Sequence, residues 1–452
     1  MKITIAGYGK VGSTIAERLL KENHDLTIVD IDPAAVEDAR GELDIYGTVG
    51  NCASQEILRE AGIKESDLLI AVTQSDEVNL LSCLIAKKIG AKKAIARVRS
   101  PIYSEEISLI KDDLGLSMVI NPELAAAGEI TRLLKYQSAI KVETFAKGRV
   151  EILQYKLSDG CPLCDVKVMD IFEKLKLRVL ICVVERGKEV FIPNGSSILK
   201  KGDIISFVAA SGDADRFFKR LGVVTDRIKR ILIIGGGRLT YYLAKNLLDS
   251  GFSVKIIEKD HERCETLSEE LPGAMIINGD GTDCRLLDEE GLSDFQAIAT
   301  LTGNDEQNIL VSMYAAKNAK GAKVITKVKH SDFDEMLKDV DVGSIVSPKH
   351  ITSDYIIRYV RAIQNSVGSN VQALHKIVSD KVEALEFRVR EASEITGVPL
   401  QALKLKNDIL IGCINRGGKI IAPKGGDTIE VGDTVIVVTT RTGLCELSDI
   451  LQ

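Results

Sequence analysis

The chain has no tryptophan, and aromatic residues make up only 4% of its 452 residues. So few rings argue against a single-strand nucleic-acid binder, which stacks bases on aromatic side chains. Charge of neither sign dominates: 59 Lys and Arg stand against 65 Asp and Glu, for a net charge of −6. A surface that neutralises DNA phosphates needs a cationic excess, so no nucleic-acid partner is expected. Long hydrophobic runs are missing too, and none approaches the roughly 20 residues that span a bilayer. A strand pattern begins at Lys2, leaving no room for a leader. Together these absences lead us to expect a cytoplasmic protein, one that can still dock on a membrane partner.

Sulfur and imidazole offer little chemistry. Nine cysteines, at 52, 83, 161, 164, 182, 264, 284, 413 and 445, form an odd set without a framework and read as reduced thiols. Cys161 and Cys164 have ligand-like spacing, but zinc would need a second pair or nearby histidines. Of the five histidines, His24 reads as a surface loop residue, and His350 and His375 fall in linker segments. His261 and His330 follow strands, with no nearby acid to orient either, and read as a polar rim. There is no G-x-S-x-G elbow, Walker lysine motif or H-E-x-x-H.

What is present starts at the first residues. Ile3-Thr4-Ile5-Ala6 reads as a buried strand, followed by Gly7, Gly9 and Gly12 in G-x-G-x-x-G order and an amphipathic run to about Glu22. A second strand, Leu26–Val29, ends in Asp30, 18 residues after the last glycine. Gly7 permits a tight turn, Gly9 lets backbone approach a pyrophosphate, and Gly12 lets helix and strand pack closely. The opening N–H groups of the helix can face phosphates, while Asp30 can accept from ribose hydroxyls. Asp30 also repels a 2′-phosphate, favouring NAD over NADP.

The pattern recurs. Ile231–Gly237 restates Ile3–Gly9 at an offset of 228, and Glu258 stands where Asp30 stands. Gly50-Asn51 returns as Gly279-Asp280, Thr73 as Thr302, and Arg97-Val98-Arg99 as Lys327-Val328-Lys329. Such ordered self-similarity is a duplication. Within each copy, strands alternate with helical patterns, as in a doubly wound parallel sheet. The first copy reads as strand 3–6, helix 12–22, strand 26–29, helix 33–40, strand 44–48, helix 54–61, strand 68–72, helix 76–89 and strand 94–98. Proline-led helices follow at 121–136 and 347–363 and read as swaps or hinges. Two compact α+β modules complete the halves, each with three short strands, one helix (168–175 and 400–405) and Gly-Asp before the last strand. The expected fold class is therefore α/β: two Rossmann-like doubly wound parallel-sheet domains, each followed by a small α+β module. The boundaries fall at 1–140, 141–225, 226–366 and 367–452.

These residues resemble the regulator-of-potassium-conductance (RCK, or KTN) domain family, and the modules resemble its small C-terminal domain (TrkA-C). The duplicated arrangement is similar to that of the cytosolic subunits of Trk potassium uptake. The resemblance implies a gating ring, a tetrameric homo-oligomer, beneath a potassium-translocating membrane subunit of Trk type. It implies NAD(H) and ATP or ADP as ligands, and peripheral attachment at the inner face of the cell membrane. By it, Gly7, Tyr8, Gly9, Lys10, Val11 and Gly12, with Asp30, hold pyrophosphate and ribose. Asn51 and Cys52 lie by the adenine, Thr73 by the nucleotide body, and Arg97 or Arg99 by a phosphate, including one from a neighbouring subunit.

Read from the residues alone, Lys10 either reaches a phosphate or faces water, and Thr73 either contacts the ligand or caps a helix. Arg97 and Arg99 suit phosphate or a partner's carboxylates, or else form a solvated strand end. The second-copy candidates are Gly235, Gly237, Arg238, Leu239, Glu258, Gly279, Asp280, Thr302 and Lys327. Thr240 replaces Gly12 with a β-branched residue where close packing is wanted, and the lysines lose a bidentate grip. The second site is thus expected to differ in affinity or selectivity. A rival reading is an NAD-dependent oxidoreductase with an unrecognised base; a cofactor fold duplicated without a substrate domain counts against it. A third is a nucleotide or redox sensor with a target other than potassium transport.

Overall fold

The structure is a computed structural model that describes all residues except 137–138, 146–149, 178, 211–212, 223–227, 330–336, 338–339, 366–370, 379–380, 442–443 and 445. His330 and Cys445 lie outside the described residues.

In the first copy, apolar strands β1 (Lys2–Ala6), β2 (Asp25–Asp30), β3 (Tyr46–Val49), β4 (Leu68–Ala71), β5 (Lys93–Arg97) and β6 (Met118–Ile120) form one sheet. Helices α1 (Lys10–Leu20), α2 (Pro33–Leu43), α3 (Gln55–Glu60), α4 (Asp76–Ile89) and α5 (Pro101–Ile110) connect them. The strands pair in parallel in the order β3-β2-β1-β4-β5-β6. The order reverses between β1 and β4, where such a sheet opens a crevice at its carboxyl edge. Helix α6 (Pro122–Lys135) follows. Asn121 caps it by accepting from the Leu124 N–H at 3.0 Å, and Pro122 occupies a first-turn position that needs no N–H.

The first module contains β7 (Lys141–Phe145), β8 (Val150–Lys156), α7 (Ile171–Leu175), β9 (Leu180–Arg186), β10 (Glu189–Phe191), β11 (Ile204–Ala210) and α8 (Asp213–Arg220). Its antiparallel sheet runs β10-β9-β11-β8-β7. The second parallel sheet is built from β12 (Arg230–Ile234), β13 (Ser253–Glu258), β14 (Met275–Asn278), β15 (Ala297–Thr300), β16 (Lys323–Lys327) and β17 (Ser344–Val346). Its helices are α9 (Arg238–Asp249), α10 (His261–Glu270), α11 (Cys284–Glu289) and α12 (Asp305–Asn318), and its order, β14-β13-β12-β15-β16-β17, repeats the first. Helix α13 (Pro348–Asn365) leads to β18 (Val371–Val378), β19 (Val382–Arg388), β20 (Ile409–Arg416), β21 (Lys419–Ile421) and β22 (Thr434–Thr439), ordered β18-β19-β22-β20-β21.

The proline-led helices cross between the halves. Ile130, Leu133 and Leu134 of α6 pack in one core with Leu239, Tyr242, Leu243 and Leu247 of α9. Ile356, Ile357 and Val360 of α13 likewise join Ile15 and Leu19 of α1. Burying each such aliphatic side chain contributes about 1.5–3 kcal/mol, so these contacts fasten the halves firmly. Arg18 also pairs with Asp354 at 2.6 Å and Arg361 with Glu22 at 2.5 Å. The modules meet as well: Ile152, Cys182 and Val208 share a core with Ala384, Cys413 and Val438. Each Gly-Asp motif has a purpose, since buried Asp203 and Asp433 take Arg186 and Arg416 through two hydrogen bonds of 2.8–2.9 Å.

Several expectations need correction. Each parallel sheet has a sixth strand, but β6 and β17 are three residues long and show too little of any period to be read. The helix expected at 400–405 is only a 3₁₀ turn, Leu400–Ala402. Module edge strands β7, β10, β18 and β21, and helix α8, were not anticipated; Phe217 and Phe218 of α8 are buried in the core. His24 is not a surface residue but 4% exposed, and burial, then the N-terminal charge, lowers its pKa. His375 lies in β18 rather than a linker. His261 does have an acid nearby, Glu265 at 3.5 Å, although both are exposed.

Candidate functional site

The first candidate site is the loop between β1 and α1. Gly7 has φ +100°, and a Cβ there would stand 2.8 Å from the Thr73 nitrogen. Any side chain would therefore strain the turn and collide with the end of β4. At Gly12 a Cβ would fall 1.9 Å from the Gly7 carbonyl oxygen, so α1 starts flush against the loop. Around Gly9 a Cβ would meet nothing within 4 Å, which leaves the outer rim open.

Asp30, at the end of β2, organises this rim. One carboxylate oxygen accepts from the Tyr8 N–H at 2.6 Å and the other from the Asp32 N–H at 2.9 Å. Tyr8 turns inward and is 9% exposed, packing in the core with Ala39. Val11 is half-buried at the start of α1, and Lys10 is exposed beside it. Asn51 shapes its own turn, accepting from the Ala53 N–H at 2.9 Å. Cys52 is buried, with the Ser82 hydroxyl donating to its sulfur at 3.2 Å. Its thiol belongs to the core, and burial raises its pKa.

Across the crevice, Thr73 is held by Asn79. The Asn79 side-chain oxygen accepts from the Thr73 N–H and hydroxyl, both at 2.8 Å, while its amide donates to the Arg97 carbonyl at 2.9 Å. Thr73 is no helix cap; Ser75 caps α4. Arg97 is 8% exposed and donates to the Thr73 carbonyl at 2.5 Å. Arg99 lies beyond β5 and grips Glu123 of α6 through Nε, at 2.7 Å, and Nη2. The two guanidiniums are therefore turned onto groups of their own chain, not displayed as a free pair.

Missed by the sequence reading were Asn79 and Asp76, which accepts from the Arg99 and Ser100 N–H groups at 2.8 Å. The signal was there: Asp-Glu-x-Asn stands at 76–79 and again at 305–308.

The second copy rebuilds this plan with exchanged parts. Gly235 has φ +99° and backs against Thr302. Glu258 accepts from the Gly236 N–H at 2.5 Å and the Asp260 N–H at 2.9 Å. Thr240 is no packing defect: fully buried, it donates its hydroxyl to the Gly235 carbonyl at 2.5 Å. Tyr8 and Ala39 share a core in the first copy, whereas in the second Gly236 lies against Leu267, so large and small stand in exchanged positions. Gly237 and Arg238 are exposed at the start of α9, whereas Leu239 is buried in the core. Gly279 is half-buried, and Asp280 accepts from the Thr282 N–H at 2.9 Å, which lowers its pKa. Asn308 fastens Thr302 at 2.8 Å and the Lys327 carbonyl at 3.0 Å. Lys327 donates to the Leu301 carbonyl at 2.8 Å, and burial pulls its pKa down to about 8.

The two crevices adjoin. Tyr242, on α9, accepts from the Asn121 side chain at 2.9 Å and donates to the Arg99 carbonyl at 3.3 Å. Arg238 adds to the positive field at Arg97, and Glu123 and Arg99 act on Lys327. Chemically, the paired edges offer backbone N–H groups, carboxylates for hydroxyls and cations for phosphates.

Two parallel sheets of this order, each with a glycine loop and an acid ending its second strand, define a tandem Rossmann-like class of nucleotide-binding fold. The TrkA-N domain family matches residues 3–122 and 231–348, and the TrkA-C domain family matches 152–222 and 384–452. The chain is 35% identical over 452 residues to the Trk system potassium uptake protein TrkA homolog of Archaeoglobus fulgidus, covering 100% of both. It is 30% identical to the Trk system potassium uptake protein TrkA of Haemophilus influenzae, over 100% of this chain and 99% of that one. Among solved structures it superposes on the GsuK RCK domain with TM-score 0.63 at 16% identity, covering 97% of this chain and 92% of that one. A GsuK channel bound to NAD gives 0.64 at 15%, with 97% and 76% covered. The chain belongs to the TrkA family of Trk-system potassium uptake proteins, with both of the family's domains present twice. Its relatives carry names of potassium uptake, not of an enzyme, and the oxidoreductase reading is set aside. Among the described residues no helix is long and apolar enough to cross a membrane, and no cluster of metal-ligating side chains occurs.

Proposed function

We propose that this chain is a nucleotide-responsive regulatory subunit that gates a Trk-type potassium-translocating membrane subunit. It binds NAD(H) and ATP or ADP at the two glycine-loop crevices and works as a ring of four chains on the inner face of the membrane. Its units run 1–140, 141–225, 226–366 and 367–452. The observation that carries the reading is that the two loop-and-acid cradles are joined by exchanged helices, α6 onto α9 and α13 onto α1. A ligand in one crevice therefore bears on packing that belongs to both halves. Support for the ligands comes from GsuK, whose solved structures include one bound to NAD and one bound to ADP.

In this mechanism Gly7–Gly12 and Gly235–Leu239 cradle phosphates, while Asp30 and Glu258 accept from ribose hydroxyls. Thr73 and Thr302, fixed by their asparagines, line the opposite lip. A ligand gates only by the difference in its affinity for two conformations, and a tenfold difference supplies about 1.4 kcal/mol. Arg99 and Glu123 are well placed to create that difference, since a phosphate competing for Arg99 loosens the start of α6. The test is potassium flux through vesicles holding the membrane subunit, with and without this chain, on adding ATP, ADP, NAD or NADH singly. Flux unchanged by all four, despite measured binding, defeats the proposal.

A further inference from the structure

The two ribose ends carry different charge patterns. After Asp30 the first copy reads Ile31-Asp32-Pro33-Ala34-Ala35, without a cation. After Glu258 the second reads Lys259-Asp260-His261-Glu262-Arg263. Arg263 donates from Nε to the Gly236 carbonyl at 2.8 Å, and Glu258 accepts from the N–H of the same Gly236. Guanidinium and carboxylate therefore flank one residue of the glycine loop, at the place where a ribose would meet the acid. The remaining arm of Arg263 reaches Glu270 only at 3.5 Å, an outer ion pair that a nearer anion can replace. Lys259 is exposed next to Glu258, and its charge helps lower the pKa of Asp280 on the adjoining loop. Where Lys259 and Arg263 stand, the first copy has Ile31, 73% exposed, and Ala35.

An acid ending the second strand selects against a ribose 2′-phosphate, and a nearby arginine accommodates one. The first copy has only the acid. The second has the acid and two cations within five residues of it. We infer that the second copy accepts adenine dinucleotides phosphorylated on the ribose 2′-hydroxyl, the NADP(H) class, while the first copy excludes them. The inference rests on the nucleotide-site reading above and gives the duplication a use: one chain reads two dinucleotide pools. Glu258 opposes a 2′-phosphate, but its two oxygens already accept from backbone N–H groups, which spread part of its charge. Arg263 provides a planar donor pair and Lys259 a point charge.

The experiment uses the full chain and measures NADPH and NADH binding by equilibrium dialysis. The proteins are wild type, Asp30→Ala, and the double variant Lys259→Ile with Arg263→Ala, which copies the first-copy residues. Wild type is expected to bind one NADPH per chain; Asp30→Ala, which removes the acid that excludes a 2′-phosphate at the first copy, is expected to keep that one and not to lose it. Losing charge-assisted bonds in the double variant weakens NADPH by roughly 10- to 100-fold, with NADH within threefold of wild type. Arg263→Lys, on a native Lys259 background, retains part of the NADPH affinity. If NADH binds but NADPH does not, or if NADPH binding survives the double variant at wild-type affinity, this inference is overturned and the nucleotide-site reading stands. If neither dinucleotide binds, both fall.

Discussion

Replacing Lys323 by methionine should change how stability depends on pH. Lys323 opens β16 and is 6% exposed, with its ammonium group inserted between the second sheet and the chain leaving α6. There it donates to the Tyr136 carbonyl at 3.1 Å and the Ala139 carbonyl at 2.5 Å. Burial lowers its pKa from 10.5 to about 7. A neutral amine still has two N–H donors for these two carbonyls, so losing the proton need not break the contact. The folded state binds this proton less readily than the unfolded state, so stability rises with pH between about 7 and 10.5. Below pH 7 the full penalty, roughly 5 kcal/mol for such a shift, is present, and above 10.5 it is gone. Methionine keeps the volume but has no charge and no donor, leaving two carbonyls unpaired at about 1–3 kcal/mol each. That offset does not depend on pH, whereas the lysine contribution does. The stability of wild type minus that of the methionine variant should therefore increase by about 1.4 kcal/mol per pH unit from pH 7.5 to 9.5. Urea denaturation followed by circular dichroism at pH steps measures it. A difference that stays flat or falls as pH rises would refute the reasoning.

Two further substitutions test how the crevices are built. Gly12→Ala drives a methyl into the Gly7 carbonyl, which a Cβ meets at 1.9 Å; nucleotide affinity at the first copy should fall at least about tenfold, the equivalent of 1.4 kcal/mol, while the second copy retains its own. Calorimetric titration of each site reads this, and an unchanged first site would show that the loop tolerates displacement. Asn79→Ala strips partners from the Thr73 N–H and the Arg97 carbonyl, and buried groups left unpaired cost about 1–3 kcal/mol each. Thermal denaturation should register the loss, together with weaker binding at the first copy; unaltered melting would mean that Thr73 is held by something other than Asn79.

The glycine loops and acids were legible because their spacing follows from backbone geometry, which a sequence pattern records directly. Asp-Glu-x-Asn was equally visible at 76–79 and 305–308, but nothing local says that Asn79 reaches the end of a strand 18 residues on. His24 misled for the same reason. A polar residue before a strand looks solvent-facing until α13, more than 300 residues later, brings Arg361 and Glu22 together beside it. Arg97 and Arg99 were read as a grip for phosphate or a partner's carboxylates, or else as a solvated strand end, because alternation along a strand predicts a shared face. It does not predict Glu123 waiting at the head of the next helix.

By itself the sequence determined the duplication, the order of the first five strands of each parallel sheet and the helices between them, the two turns that require Gly7 and Gly235, and the family. These are short-range properties: hydrophobic period, steric demand at a positive φ, and repetition. Only the tertiary structure decided that α6 serves the second half and α13 the first, that the crevices adjoin through Tyr242, and that Thr240 forms a buried hydrogen bond. Those depend on which apolar face finds which partner after the chain has closed. Nearest-neighbour pattern leaves that choice open, because an amphipathic helix can bury its stripe equally well against either copy.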